Sequence, residues 1–376
     1  MANKSRISPA ALLAIAGLSG EVNAAEAQTV YPAGTLPTFT GPEAMFTGKV
    51  DVQMAFPGDN TPYSGAFVTF QPSARTAWHD HPAGQHMVVT KGTAITATRD
   101  GQVVSFSEGE AVWCPEGVDH WHGATPHAAM THFVVTGSKD NSAVNWKDKV
   151  SDAQYQAALD ALKGTAPEIK RLTIREQQLV VAVAFAAADD LGSLRAVFDE
   201  SLEAGVTIND LSESMVHLYP YGGFPKSLNG LGTLMAVVNE RKAAGKKDVE
   251  GAEPQPLPAP DQAEALGKKV QTELVGHPVS GPLFDFEPVA NTFLQKHLFG
   301  DVFARGLFSN QEREILTVAI LASMPGAAPQ LNSHIGMSLH TGVSPETLQE
   351  LASLLEFRVS RATGLRVSSA LTAVQN

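Results

Sequence analysis

The chain carries a single cysteine, Cys114, in 376 residues. No intramolecular disulfide can form, and cysteine usage argues neither for nor against an oxidising compartment. A basic tract is also missing: 39 acidic residues face 27 basic ones, a net charge of -12, which argues against a nucleic-acid or anionic-membrane partner. A small-molecule partner is the expectation that is left. An apolar run near the N-terminus, Ala10 to Leu18, is too short to cross a bilayer. Prolines number 23 and charged residues reach only 18 %, against 43 % apolar, a composition that folds rather than staying disordered. At roughly 150 residues per domain the length suggests two or three domains, each able to bury a core.

That apolar run has the setting of an export address. Lys4 and Arg6 precede it, and small residues follow at Val22-Asn-Ala24 and Ala25-Glu-Ala27, although Glu21 fits the pattern less well. The order is that of a secretory signal peptide over residues 1–27, which places the mature protein in the periplasm or outside the cell.

Against this spare background, histidines are concentrated. His79 and His81 are one residue apart, with Gln85 four further on. On a strand, residues i and i+2 share a face, so two imidazoles can converge on one point. Downstream, a Pro115/Gly117 turn delivers His120 onto what reads as an antiparallel strand. Three imidazoles and one amide oxygen then form a candidate metal site at His79, His81, Gln85 and His120. Such neutral donors suit Mn, Fe, Co, Ni, Cu or Zn. Four protein ligands leave two positions of an octahedron open, which points to a catalytic rather than a purely structural metal. His122 shares the face of His120, and His132 lies on the next strand; either is a candidate general base. His86 faces away from Gln85, Trp78 and Trp121 alternate with ligands and should pack on the opposite faces, and Cys114 reads as a small core residue.

From about Tyr31 to Val135, short alternating runs such as Ala66-Phe-Val-Thr-Phe and His86-Met-Val-Val-Thr are separated by Gly and Pro turns. They predict a closed barrel or double-sheet jelly roll. After about Trp146 the apolar spacing becomes helical. The expected fold is multidomain β + α, with a barrel over 28–147 and helices beyond. The helical part repeats itself: Arg175-Glu-Gln-Gln-Leu aligns with Gln311-Glu-Arg-Glu-Ile, and Glu203-Ala-Gly-Val-Thr aligns with His340-Thr-Gly-Val-Ser. In each copy a glycine, Gly205 or Gly342, should end one helix, and Thr207 or Ser344 should cap the next. The copies are placed at 148–250 and 261–376, joined by a Pro-rich extended connector at 251–260.

Two resemblances sharpen this. His79-x-His81-x3-Gln85-x6-Gly92 and Gly109-x5-Pro115-x-Gly117-x2-His120 resemble both cupin motifs, with Gln85 where many cupins carry glutamate. Ala74-Arg-Thr-Ala-Trp-His-Asp-His-Pro and His120-Trp-His-Gly-Ala are similar to small bacterial cupins that include manganese-dependent hydroxynitrile lyases. The resemblance implies manganese, a metal-bound substrate oxygen, and a nearby histidine that moves the proton or orients cyanide.

The segment Leu211 to Asn229 resembles the carboxymuconolactone decarboxylase family, in which a helical Glu-x3-His pattern precedes a Tyr-x-Gly-x-Pro turn. Glu213 and His217 would share a helix face, the carboxylate orienting the imidazole, with Tyr221 and Gly223 shaping a pocket wall. In the second copy Leu354 and Arg358 stand at the His217 and Tyr221 positions, while Glu314 and His334 match the family's helical histidine segment. The first copy has Gln178 and Val197 there. A composite site from Glu213, His217, Glu314 and His334 is the expectation. Related alkylhydroperoxidase D-like proteins use a Cys-x-x-Cys pair, which this chain lacks. Arg195 and Lys226 are candidates for holding a carboxylated lactone. The leading expectation is a metal-dependent lyase acting on a small oxygenated substrate and homo-oligomeric through its helices. The alternatives are a metal-independent lactone decarboxylase or tautomerase in the repeats, or a non-catalytic ligand-binding protein.

Overall fold

Period-two alternation builds the first half of the molecule. The computed structural model describes residues 28–58, 61–163 and 166–375; the expected leader over 1–27 lies outside them. The strands are β1 (Thr38–Thr40), β2 (Phe46–Thr47), β3 (Val50–Phe56), β4 (Tyr63–Phe70), β5 (Arg75–Thr76), β6 (His79–Asp80), β7 (Gln85–Lys91), β8 (Thr93–Thr98), β9 (Val103–Ser107), β10 (Ala111–Cys114), β11 (His120–Ala124), β12 (Met130–Gly137) and β13 (Asn145–Trp146). One sheet runs β1-β3-β4-β12-β7-β10; the other runs β13-β6-β11-β5-β2, with β8 pairing β11 and β9 pairing β8. On β7, Gln85, Met87 and Val89 are buried while His86, Val88 and Thr90 face outward, the signature of a sheet with one wet face.

β11 breaks that alternation, because all five of its residues are buried. Its outer face is covered by α1 (Asp152–Lys163), so that Trp78, Trp121, Tyr155 and Ala158 make a satellite core. Tyr155 Oη donates to the Ala124 carbonyl at 2.7 Å, and Arg75 Nη2 donates to the Val150 carbonyl at 3.1 Å. Trp78 and Trp121 therefore pack away from the histidines, as their alternation requires. α1 travels with the barrel, although the sequence boundary at 147/148 groups it with the helices.

The helical half contains α2 (Ile174–Ala187), α3 (Leu191–Glu203), α4 (Ile208–Ala243), α5 (Ala263–Val275), α6 (Pro282–Phe286), α7 (Pro288–Phe293), a π-helix (Leu294–Val302), α8 (Asn310–Ala322), α9 (Ala328–His340), α10 (Pro345–Arg358) and α11 (Arg361–Gln375). None of the described helices is long and apolar enough to cross a membrane. The cap residues act as their chemistry requires. Gly205 and Gly342 take φ of 84° and 94°, the Thr207 hydroxyl accepts from the Asp210 amide, and the Ser344 hydroxyl accepts from the Thr347 amide. Thr173 with Glu176 and Ser309 with Glu312 form capping boxes at the starts of α2 and α8. These two helices are buried almost all round and pack on each other at the centre. Full burial of each Val, Leu or Phe there contributes about 1.5–3 kcal/mol.

The break in α4 falls where the sequence places a turn. Tyr221 to Pro225 reads as a turn, and there α4 is two helical segments joined at Gly223, whose φ 79° and ψ 166° are not helical. Pro220 and Pro225 withhold amide donors, and only glycine takes the positive φ cheaply, so the helix breaks at Gly223 and resumes beyond it. Nearby, α5 and the π-helix meet backbone to backbone: a Cβ at Gly267 would lie 1.6 Å from the Gln295 carbonyl oxygen.

The halves are joined by polar contacts centred on Glu200. It receives Gln178 Nε2 at 2.9 Å and Arg358 Nη2 at 2.8 Å, and lies 3.2 Å from Nδ1 of His127 on the β11–β12 loop. Burial opposes its ionisation, but the His127 hydrogen bond and the Arg358 charge prevail and bring its pKa down to about 2. Beside it, Ser193 Oγ accepts from the Ala129 amide at 2.6 Å.

Candidate functional site

Strand register assembles the first site. β6 and β11 pair with His79 opposite His120, and β7 places Gln85 opposite Thr136 of β12 on the facing sheet. The His79 ring lies 4.4 Å from that of His120 and 5.0 Å from that of His81, and His81 lies 5.3 Å from His120, centroid to centroid. Gly117, with φ 72°, donates its amide to the His81 carbonyl at 3.1 Å, so the turn before β11 is tied to the strand it must meet.

Each ring is oriented by the backbone. Nδ1 of His79 lies 3.0 Å from the Ala77 carbonyl, Nδ1 of His81 2.8 Å from that of Ala143, and Nδ1 of His120 2.9 Å from that of Val118. A carbonyl only accepts, so each Nδ1 carries the proton and each Nε2 keeps its lone pair. Gln85 is held likewise: Nε2 donates to Thr136 Oγ1 at 2.8 Å, which turns Oε1 away. The atoms left buried without partners include His81 Nε2, His120 Nε2 and Gln85 Oε1. Ligand nitrogens of His79, His120 and His122 also lie within 4.8 Å of one another, a three-histidine group that could hold a metal ion.

Electrostatics keeps these rings neutral. Burial, then repulsion from His120 and His81, holds His79 well below the usual range; burial brings His81 down from 6.5 to about 4 and also lowers His120. Neutral imidazole is the ligating form. His122 and His132 stand behind them, with His132 Nε2 3.2 Å from His122 Nδ1 and Phe70 packed against both rings. Burial brings His132 down to about 4, and burial with repulsion from His132 holds His122 well below the usual range. His86 is exposed on the opposite face. Cys114 is buried, and burial alone pushes its thiol up to about 12, which makes it an inert core residue.

These depressed values have a pH consequence. The unfolded chain takes up protons before the folded one, so the contribution is complete above about pH 6.5 and is lost as pH falls toward 4. His81, shifted from 6.5 to about 4, contributes about 3 kcal/mol on that reckoning. Urea unfolding of metal-stripped protein between pH 7.5 and 4.5 should show stability falling with acidification; a flat profile would remove this account.

The second constellation lies among the helices, and the structure brings its four expected residues together. His334 Nδ1 lies 2.8 Å from Glu314 Oε2, and the Tyr221 ring contacts both His217 and His334, at 5.4 and 5.6 Å between centroids. The expected Glu213–His217 partnership is corrected. Glu213 accepts from Arg313 Nη2 at 3.0 Å and from Arg305 Nε at 2.7 Å, because two guanidinium groups outcompete a neutral imidazole for a buried carboxylate. His217 Nδ1 instead accepts from Arg313 Nη1 at 3.2 Å, and its Nε2 donates toward the Arg313 carbonyl at 3.1 Å and Thr317 Oγ1 at 2.9 Å. Arg195 and Lys226 pair with Glu240 and Asp189, outside this cluster. Arg305, Arg313, Thr317 and Thr136 were not picked out in the sequence; for Thr136 the signal was there, since it lies four residues after His132 on the same strand face.

Residues 66–136 match the cupin domain family, and residues 288–375 match the carboxymuconolactone decarboxylase family. Over 117 residues the chain is 44 % identical to the (R)-mandelonitrile lyase of Granulicella tundricola, covering 31 % of this chain and 89 % of that protein. The N-terminal unit belongs to the cupin family. Solved structures similar to the cupin unit include a cupin-like protein from Thermotoga maritima, 30 % identical, covering 35 % of this chain and 97 % of that one with a TM-score of 0.31. A cupin-2 domain from Rhodospirillum rubrum is 16 % identical, covering 36 % and 94 %, with a TM-score of 0.29. The decarboxylase match spans α7 to α11, which includes Arg313, Glu314 and His334 but not Glu213 or His217.

Proposed function

We propose that the cupin unit holds a divalent transition metal, manganese in the first instance, and is a lyase acting on a small oxygenated substrate of the hydroxynitrile class. Nε2 of His79, His81 and His120 and Oε1 of Gln85 would hold the ion. The observation that carries this reading is the set of buried, partnerless atoms at His81, His120 and Gln85, each pre-aimed by a hydrogen bond on the far side of its own group. When bound, the metal supplies positive charge that polarises a substrate oxygen. Four neutral donors leave that charge undiminished.

The chain's own groups then handle the proton. His122 is kept neutral by burial and by His132, so it can accept a proton from a substrate hydroxyl, while the His132 contact fixes its ring. Phe70 keeps water from both rings. A cleft of about 560 Å³ reaches His120 and is lined by Val104, Val112, Trp113 and Val118, apolar walls suited to a small organic substrate. The 44 % identity to a mandelonitrile lyase supports the reaction class.

Metal analysis of purified protein, with cyanohydrin cleavage before and after chelation, tests the reading. Stoichiometric metal, loss of cleavage on chelation and recovery with Mn(II) are expected; metal-free protein with no cleavage after reconstitution overturns it. Self-association through the helices belongs to the same proposal, supported by Phe224, Leu228 and Met235, 60–64 % exposed along α4. Light scattering of the full chain should give a mass above 39.8 kDa, and a monomer would remove this part.

A further inference from the structure

The strap that closes the barrel, Ala143 to Lys147, reaches the surroundings of all three histidine ligands proposed above. Ala143 offers its carbonyl to His81 Nδ1 at 2.8 Å, and the Trp146 ring lies 4.8 Å from that of His79, centroid to centroid. Lys147 completes the set. Its ammonium donates to Asp80 Oδ2 at 2.8 Å, between His79 and His81 in the chain, and to Asp119 Oδ1, one residue before His120. One side chain thus spans the two segments that carry the three imidazoles.

Backbone pairing fixes the spacing of those segments at few points. β6 has two residues and meets β11 at one register position, His79 opposite His120, while beyond it the Gly117 amide meets the His81 carbonyl. Strand alternation turns Asp80 away from the face that His79 occupies, which leaves its carboxylate for Lys147. Asn145 Nδ2 also donates to Asp80, at 2.8 Å, and Arg99 Nε donates to Asp119, at 3.4 Å. Among the described residues, only Lys147 joins the two carboxylates. Its side chain is 34 % exposed, and ion pairs this open contribute little to stability. Their effect here is geometric.

On the reading that His79, His81 and His120 hold the ion, we infer that Lys147 is a positioning residue of the metal centre. By joining Asp80 to Asp119 it holds the His79/His81 pair at a fixed distance from His120. A set of donors already spaced for its ion loses less freedom on binding, so metal affinity is where such a clamp shows. Charge alone has the opposite sign. Removing a cation from beside two aspartates leaves a more negative potential near the ion, which would tighten binding.

Equilibrium binding of Mn(II) to metal-stripped full-length protein, read from the electron paramagnetic resonance of the free ion, tests this. Lys147→Met should bind Mn(II) at least about 10-fold more weakly than the parent. The thermal midpoint of the metal-free protein should not move, since Asp80 keeps Asn145 and Asp119 keeps Arg99. Lys147→Arg, whose fork still spans two carboxylates, should stay within about threefold of the parent. Equal or tighter binding by Lys147→Met, or Lys147→Arg as weak as Lys147→Met, overturns the inference. So does a loss of affinity that follows a fall in the midpoint. A parent that binds no Mn(II) removes the metal reading and the clamp with it, a result distinct from equal binding by parent and variant.

Discussion

His120→Ala should leave a folded barrel that neither retains metal nor cleaves cyanohydrin, with metal affinity and activity each reduced by more than about 100-fold; loss of a supporting hydrogen bond alone typically costs 10–100-fold. The substitution removes one of the aimed Nε2 atoms and the ring packed 4.4 Å from His79. It does not remove the strand, because β11 is held by backbone pairing to β6, β5 and β8, and the Val118 carbonyl it releases lies on a half-exposed turn. His86→Ala, on the outward face of β7, is the matched control and should keep both metal and activity. Elemental analysis and a cleavage assay on the two variants read the result. Full metal occupancy in His120→Ala would mean that the ion is held elsewhere.

Glu213→Ala should destabilise the helical half by about 3–5 kcal/mol, the usual effect of stranding a buried charge. Arg313 is fully buried, and Glu213 is its carboxylate partner while also holding Arg305. Without Glu213, the buried Arg313 guanidinium loses its carboxylate hydrogen-bond partner. Replacing both partners with apolar residues, as in Glu213→Leu with Arg313→Met, removes the charge instead of stranding it and should recover most of the loss. Urea unfolding followed by helical circular dichroism measures both. If the single variant were as stable as the parent, the pair would be ornamental.

The two sites differed in how readable they were, and the reason is locality. His79 and His81 could be placed on one face because a strand has period two, and His120 because its turn residues announce the strand start. Helix ends at Gly205, Thr207, Gly342 and Ser344 are equally local chemistry. The Glu213–His217 pairing failed because i,i+4 spacing makes two side chains neighbours without making them partners. Arg313, from a helix 100 residues away in the chain, takes the carboxylate. Within Gln311-Glu-Arg-Glu, that arginine reads as a solvated first-turn charge; only the packing of α4 against α8 buries it. The same applies to α1, whose amphipathic sequence does not say that its apolar side faces Trp78 and Trp121.

The Glu200 junction limits how separable the two units are. A barrel released after residue 147 would abandon α1 and bare the tryptophan face that α1 covers. A barrel released after α1 would keep that face but leave His127 without Glu200, and would leave Glu200 to Arg358 and Gln178. The chain is a fusion whose parts have grown dependent on each other at the seam. Its barrel is less a detachable module than a partner of the helices, which hold the β11–β12 loop, between the strands that carry His120, His122 and His132, through Glu200 at His127 and Ser193 at Ala129.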